Sequence, residues 1–168
     1  PVPGLLWHDD SGENGFGRLT RAYVPGELAA ADASERAAER VLLDARRALA
    51  RGGLSIRCEA DATEGPGNWR MWLVPPAGGI ALANINRVRV WPITRGEGHS
   101  RDAQASLEAG EALDLGVVPL ADVTRFLAIE MKERATGQSV LFSTGLPIEG
   151  LPAERDAAIM RSVINDRK

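Results

Sequence analysis

The chain reads as an α+β domain: an antiparallel sheet of about three to five strands packed with three or more helices in a single layer pair. Three observations predict this. A helical repeat of apolar residues runs through residues 32–51, and similar repeats recur at 119–135 and 152–167. Between 54 and 92, three strand-like runs follow one another across short polar loops. That spacing argues for an antiparallel meander rather than βαβ units, which need a long crossover.

Taken in order, residues 1–25 are rich in glycine and proline and read as a loop-rich segment anchored by Trp7, Phe16, Leu19 and Tyr23. From Asp32, Ala37, Val41, Leu42, Ala45, Ala48 and Leu49 recur at three- and four-residue steps, with Asp32 or Ser34 as cap and Gly52-Gly53 as stop. Leu54, Ile56 and Cys58 then alternate with Ser55, Arg57 and Glu59, the pattern of a half-buried strand. Residues 69–74 form a second strand ended by Pro75-Pro76, and residues 80–91 a third closed by Pro92.

Residues 101–109 suit a short helix, and 111–116 fit no single pattern. Residues 119–135 are expected to be helical, because Leu120, Val123, Leu127 and Met131 share one face and Gly137 follows as a stop. Residues 139–143 read as a short strand. Residues 152–167 read as a last helix, with Pro152 in its first turn and Ile159, Met160, Val163 and Ile164 as its stripe.

With 168 residues, 44% of them hydrophobic and 26% charged, the chain matches one globular domain and not a disordered one. A domain of about 150 residues buries roughly 68–70% of its unfolded surface, enough for a core without cross-links. The lone Cys58 excludes an intrachain disulfide and reads as a small buried hydrophobe. No secretory leader pattern and no apolar run of membrane-spanning length is present, so a cytoplasmic location is expected and a membrane partner is not.

Arginine outnumbers lysine 18 to 2, and 25 alanines and 18 glycines accompany it. All three have GC-rich codons, which points to a bacterial source and warns against reading every arginine as a phosphate ligand. The net charge of −3 gives no overall attraction to nucleic acid. The chain opens Pro1-Val2-Pro3 and stops at Asn165-Asp166-Arg167-Lys168 within a helical pattern, so a domain excised from a longer polypeptide is expected.

Three constellations carry chemistry. Gly12-Glu13-Asn14-Gly15-Phe16-Gly17-Arg18-Leu19 resembles the glycine-rich loop of protein kinases over eight residues, with Asn14 where the central glycine stands. No Val-Ala-Ile-Lys, His-Arg-Asp or Asp-Phe-Gly element follows it, so the glycines are read as turn residues. Glu130-Met131-Lys132, sixteen residues after Asp114, resembles the core motif of PD-(D/E)xK nucleases. The resemblance implies Asp114 and Glu130 as ligands of Mg²⁺ or Mn²⁺ and Lys132 positioning the attacking water. Leu113 stands where that family has proline. On a helix Glu130 and Lys132 diverge, whereas on a strand they share a face.

The third constellation is aromatic and basic. Trp72 lies in one strand, and strand alternation puts Arg87, Arg89 and Trp91 on one face of another. Tryptophan and arginine are the commonest anchors of protein interfaces, and they also stack on bases and neutralise phosphates. With only His8 and His99 there is no multi-histidine metal site, and no cofactor motif is found. The leading expectation is therefore a non-catalytic accessory or interaction domain of a larger protein. It binds a protein partner or the rest of its own chain through Trp72, Arg87, Arg89 and Trp91. The alternatives are a metal-dependent nuclease using Asp114, Glu130 and Lys132, and a single-stranded nucleic-acid-binding module.

Overall fold

Local sequence carries the first long element. In a computed structural model, which describes residues 6–9, 19–23, 25–96, 98–153 and 155, helix α1 spans Pro25–Arg51. It buries Ala38, Leu42, Ala45 and Leu49 at steps of four, three and four residues. The stripe is the predicted one moved by one position at its start: Ala38 faces inward and Ala37 outward. Arg51 closes the last turn, and Gly53, at φ 75, takes the left-handed conformation that redirects the chain.

Two antiparallel strands precede the helix, β1 (Leu6–Asp9) and β2 (Leu19–Tyr23). They correct the loop-rich reading of residues 1–25. The kinase-like segment falls almost wholly on residues 10–18, outside the described residues. After α1 come β3 (Ser55–Ala60), β4 (Asn68–Val74) and β5 (Ile85–Pro92), the predicted strands. The third is shorter than expected, because Asn84 at φ 62 turns the chain just before Ile85. Next are β6 (Arg101–Asp102), the short helix α2 (Gln104–Ala109), β7 (Leu113–Pro119), a 3-10 turn (Leu120–Asp122), β8 (Phe126–Glu133), β9 (Ser139–Gly145) and β10 (Ile148–Glu149).

The expected single sheet packed with three or more helices is wrong. The described residues form two four-stranded sheets, ordered β10-β3-β4-β7 and β6-β5-β8-β9, with two helices of which only α1 is long. The decisive misreading is residues 119–135, which form the 3-10 turn and the strand β8. Leu127 and Met131 are four apart, a separation that suits both a helix face and a strand face. Ile129 between them belongs to the strand pattern alone. It is buried with Leu127 and Met131, while Phe126, Glu130 and Lys132 point away. The outcome is set by pairing: β8 hydrogen-bonds β5 on one side and β9 on the other. Most of the helix expected at residues 152–167 lies outside the described residues.

One cluster of buried side chains joins both sheets to α1. Leu42, Ala45 and Leu49 meet Ile56, Met71 and Leu73 of the first sheet and Val88, Val90, Leu127, Ile129 and Met131 of the second. Cys58 is part of it, and burial pushes its thiol pKa up, so it behaves as the inert small hydrophobe the sequence suggests. Trp69 packs on the cluster's margin. Among the described residues no helix is long and apolar enough to cross a membrane.

Candidate functional site: the outer face of the second sheet

Because β5 and β8 each bury one side, their alternate residues must stand on the other. A bulge at Asn86 between Ile85 and Arg87 fixes which residues these are. The pairings give four rows across β5, β8 and β9. Arg87, Lys132 and Ser139 form the first row, and Arg89, Glu130 and Leu141 the second. Trp91, Ala128 and Ser143 form the third. Ile93, Phe126 and Gly145 form the fourth, since the Ile93 amide donates to the Phe126 carbonyl at 3.0 Å and Phe126 pairs with Gly145.

The face is polar at the Arg87–Lys132 end and apolar at the Ile93–Phe126 end, with Leu141 beside Glu130 between them. Of the four large hydrophobic residues exposed among the described residues, three lie on it: Ile93 at 45%, Phe126 at 52% and Leu141 at 62%. The Phe126 ring lies over Gly145, where an added Cβ would sit 3.0 Å from the ring edge, and the Arg125 guanidinium stands 5.8 Å from the ring centre. Trp91 is half-buried, with the loop at Gly98 beside its indole.

At the polar end Arg89 is held by Glu130. Its Nε and Nη2 both donate to Glu130 Oε1, at 3.0 and 2.5 Å. Asp102 of β6 pairs with Arg89 on the other side. Arg87 and Lys132 are exposed and face each other, and neither meets a carboxylate among the described residues.

The structure thus brings Arg87, Arg89 and Trp91 together as strand alternation implies, and adds Glu130 and Lys132 to the same face. It leaves Trp72 and Asp114 elsewhere. Trp72 stands on the first sheet, where the Arg57 guanidinium covers its ring at 4.7 Å. Asp114 pairs with Trp72 in the ladder and accepts from Arg70 Nη1 and, at 2.8 Å, from the Gly116 amide. Arg70 also bridges to Asp61 at 2.8 Å. The Thr63 hydroxyl and this guanidinium together pull the Asp61 pKa down to about 2. A cleft of about 400 Å³ opens beside Asp114, lined also by His99, Arg101 and Asp122.

For the nuclease constellation the result is mixed. Residues 126–132 are a strand, as that chemistry requires, but Glu130 and Asp114 stand on different sheets, each paired to its own arginine. No group of three potential metal ligands occurs among the described residues.

Sequence reasoning missed Ile93, Phe126 and Leu141. The available signal was the alternation of Leu127, Ile129 and Met131 with Ala128, Glu130 and Lys132, which makes the segment a strand and its even-numbered residues one face. No known family model, curated protein or solved structure matches the chain.

Proposed function

We propose that the chain is a non-catalytic interaction domain of a bacterial cytoplasmic protein, and that the outer face of the second sheet binds a polypeptide surface. That surface belongs to another protein or to the rest of its own chain. One observation carries the reading: Ile93, Phe126 and Leu141, three large apolar side chains that folding leaves in water, are gathered on a single sheet face with Trp91. Scattered apolar side chains need no explanation, but three on one sheet face with a charged margin are the arrangement of an interface. Arg87 and Lys132 favour an acidic partner margin, because a carboxylate would relieve two facing cations.

Ile93 and Leu141 also separate this reading from nucleic-acid binding, since aliphatic side chains offer no ring for a base to stack on. The nuclease alternative is supported by Glu130 and Lys132 sharing a face. Against it stand the separation of Asp114 and the arginine on each carboxylate.

The test is a photo-crosslinking amino acid placed at Phe126 or Leu141 of the full-length protein in cells, with a control at Arg57 on the other sheet. A discrete protein adduct from the first two positions, reduced by Trp91→Ala, supports the reading. Adducts that digest with nuclease, or equal adducts from Arg57, would sink it.

A further inference from the structure

The four edges of the two sheets are not alike. Exposed edges invite unwanted pairing, and proteins blunt them with short strands, charges, proline or bulges. β6 and β10 are two residues long and carry Arg101, Asp102 and Glu149. β7 pairs through a bulge, contains Asp114 and a left-handed Gly116, and ends at Pro119. β9 has none of these devices. Its seven residues, Ser-Val-Leu-Phe-Ser-Thr-Gly, are uncharged and proline-free and pair with β8 without a register shift.

The backbone groups left open on β9 can be named. The Leu146 amide donates to the Arg125 carbonyl at 3.0 Å and the Glu133 amide to the Gln138 carbonyl at 2.7 Å. Antiparallel bonding alternates, so the even-numbered residues of β9 bond β8 and the amides and carbonyls of Ser139, Leu141, Ser143 and Gly145 point away. Among the described residues no strand pairs with them. Above this edge runs α1. Arg46 places its guanidinium 4.7 Å over the Phe142 ring and pairs with no carboxylate among the described residues. Beside it a cavity of about 150 Å³ is lined by Ala50, Leu54, Ile129, Phe142 and Thr144, among others. A cavity of about that size accepts a group as large as benzene. Leu43, the fourth exposed large hydrophobic, lies one turn before Arg46 on the same strip of α1.

We infer that the groove between β9 and α1 binds an extended peptide as an added strand, with an apolar side chain in the cavity and an acidic one at Arg46. Arg46, Phe142 and Thr144 all line this cavity, and the side chains an added strand turns toward it recur at every second residue, so the peptide's apolar and acidic residues are two apart, an apolar-x-acidic pattern. A second copy of this chain fits less well. Antiparallel self-pairing centred on Phe142 would bring two Arg46 guanidiniums together on one side. The inference rests on the interaction-domain reading only in taking the ligand to be a polypeptide, because the groove lies along the open edge and inner side of β9, away from Trp91, Ile93 and Phe126.

The experiment is selection of the full chain against a displayed library of random seven-residue peptides. Selected sequences are then synthesised with a fluorophore and titrated by anisotropy against four proteins: wild type, Ser143→Pro, Ala50→Phe and Phe126→Ser. Proline at 143 removes an outward amide without touching the β8 ladder. The expected result is enrichment of apolar-x-acidic peptides, affinity reduced at least tenfold by Ser143→Pro and by Ala50→Phe, and little change with Phe126→Ser. Slowed amide exchange at Leu141, Ser143 and Gly145 on peptide saturation is also expected, and it holds as a readout even if the proline variant does not fold.

An empty selection overturns the inference, as do peptides indifferent to Ala50→Phe with unaltered exchange on β9. So does dimerisation of the free chain that Ser143→Pro abolishes, which would assign the edge to a second copy. Peptides lost with Phe126→Ser but kept by Ala50→Phe would overturn the groove and leave the outer-face reading standing. Groove binding without crosslinks from Phe126 would do the reverse.

Discussion

Arg87 on β5 stands directly opposite Lys132 on β8, two exposed cations paired across a ladder with no carboxylate between them among the described residues. Like charges in that position oppose folding by a few tenths of a kcal/mol. Lys132→Glu should therefore stabilise the isolated domain by about 0.5 kcal/mol. The gain should shrink in high salt, where exposed charges are screened. The same substitution should weaken binding of an acidic partner to the outer face. Urea titrations at two salt concentrations, beside a binding assay, measure both effects.

Side chains on the two sides of β8 should respond oppositely to truncation. Phe126→Ser, on the outer face, should change stability by no more than about 0.5 kcal/mol. Met131→Ala, at 0% exposure, should cost about 2–5 kcal/mol through lost burial and the cavity it leaves. Only the first should reduce partner binding selectively. Comparable loss of stability in both would mean that Phe126 is part of the core.

The loop before β5 and the end of α2 lock together through two glycines. Gly79, at φ 73, lies against the Glu108 carbonyl, and Gly110, at φ 75, lies where a Cβ would come within 2.5 Å of the Ala77 carbonyl. A side chain at either place meets both a left-handed backbone and a backbone oxygen. Gly79→Ala should cost more than the roughly 1–2 kcal/mol that the left-handed conformation alone imposes. Gly78→Ala, one residue away with open space around it, should cost less, and thermal melts of the pair decide the point.

Acid should weaken the fold through Asp61 and Glu133. Asp61 drops from its ordinary 3.8 to about 2, held first by the Thr63 hydroxyl and then by Arg70. Glu133 is lowered by the amide and hydroxyl of Thr136 and the amide of Ala135. A depressed carboxylate stabilises the folded state above its unfolded pKa, and that contribution disappears as pH falls through the folded value. The melting temperature should therefore decline from about pH 4 toward pH 2, and Asp61→Asn should flatten part of the slope. An unchanged slope in the variant would show that Asp61 is not a source of the acid sensitivity.

The residues that were legible in the sequence are those whose burial follows from neighbours along the chain. The Leu42, Ala45 and Leu49 stripe of α1 and the alternation of Ile56 and Cys58 in β3 are local periodicities. So is the shared face of Arg87, Arg89 and Trp91, which holds whichever strand lies beside β5. Composition likewise bounded the chemistry, leaving one thiol and too few histidines for a histidine-built metal centre.

Tertiary structure decided what local periodicity left ambiguous. Leu127 and Met131 suit a helix and a strand equally, and the choice fell to hydrogen bonds with β5 and β9, segments some forty residues before and ten after. That pairing turned an apparent helix face into a central strand. It carried Glu130 and Lys132 onto the face of Arg87 and Arg89, parted them from Asp114, and exposed Phe126 and Leu141. The open edge of β9 under Arg46 has the same origin, since an edge exists only once the order of strands is fixed.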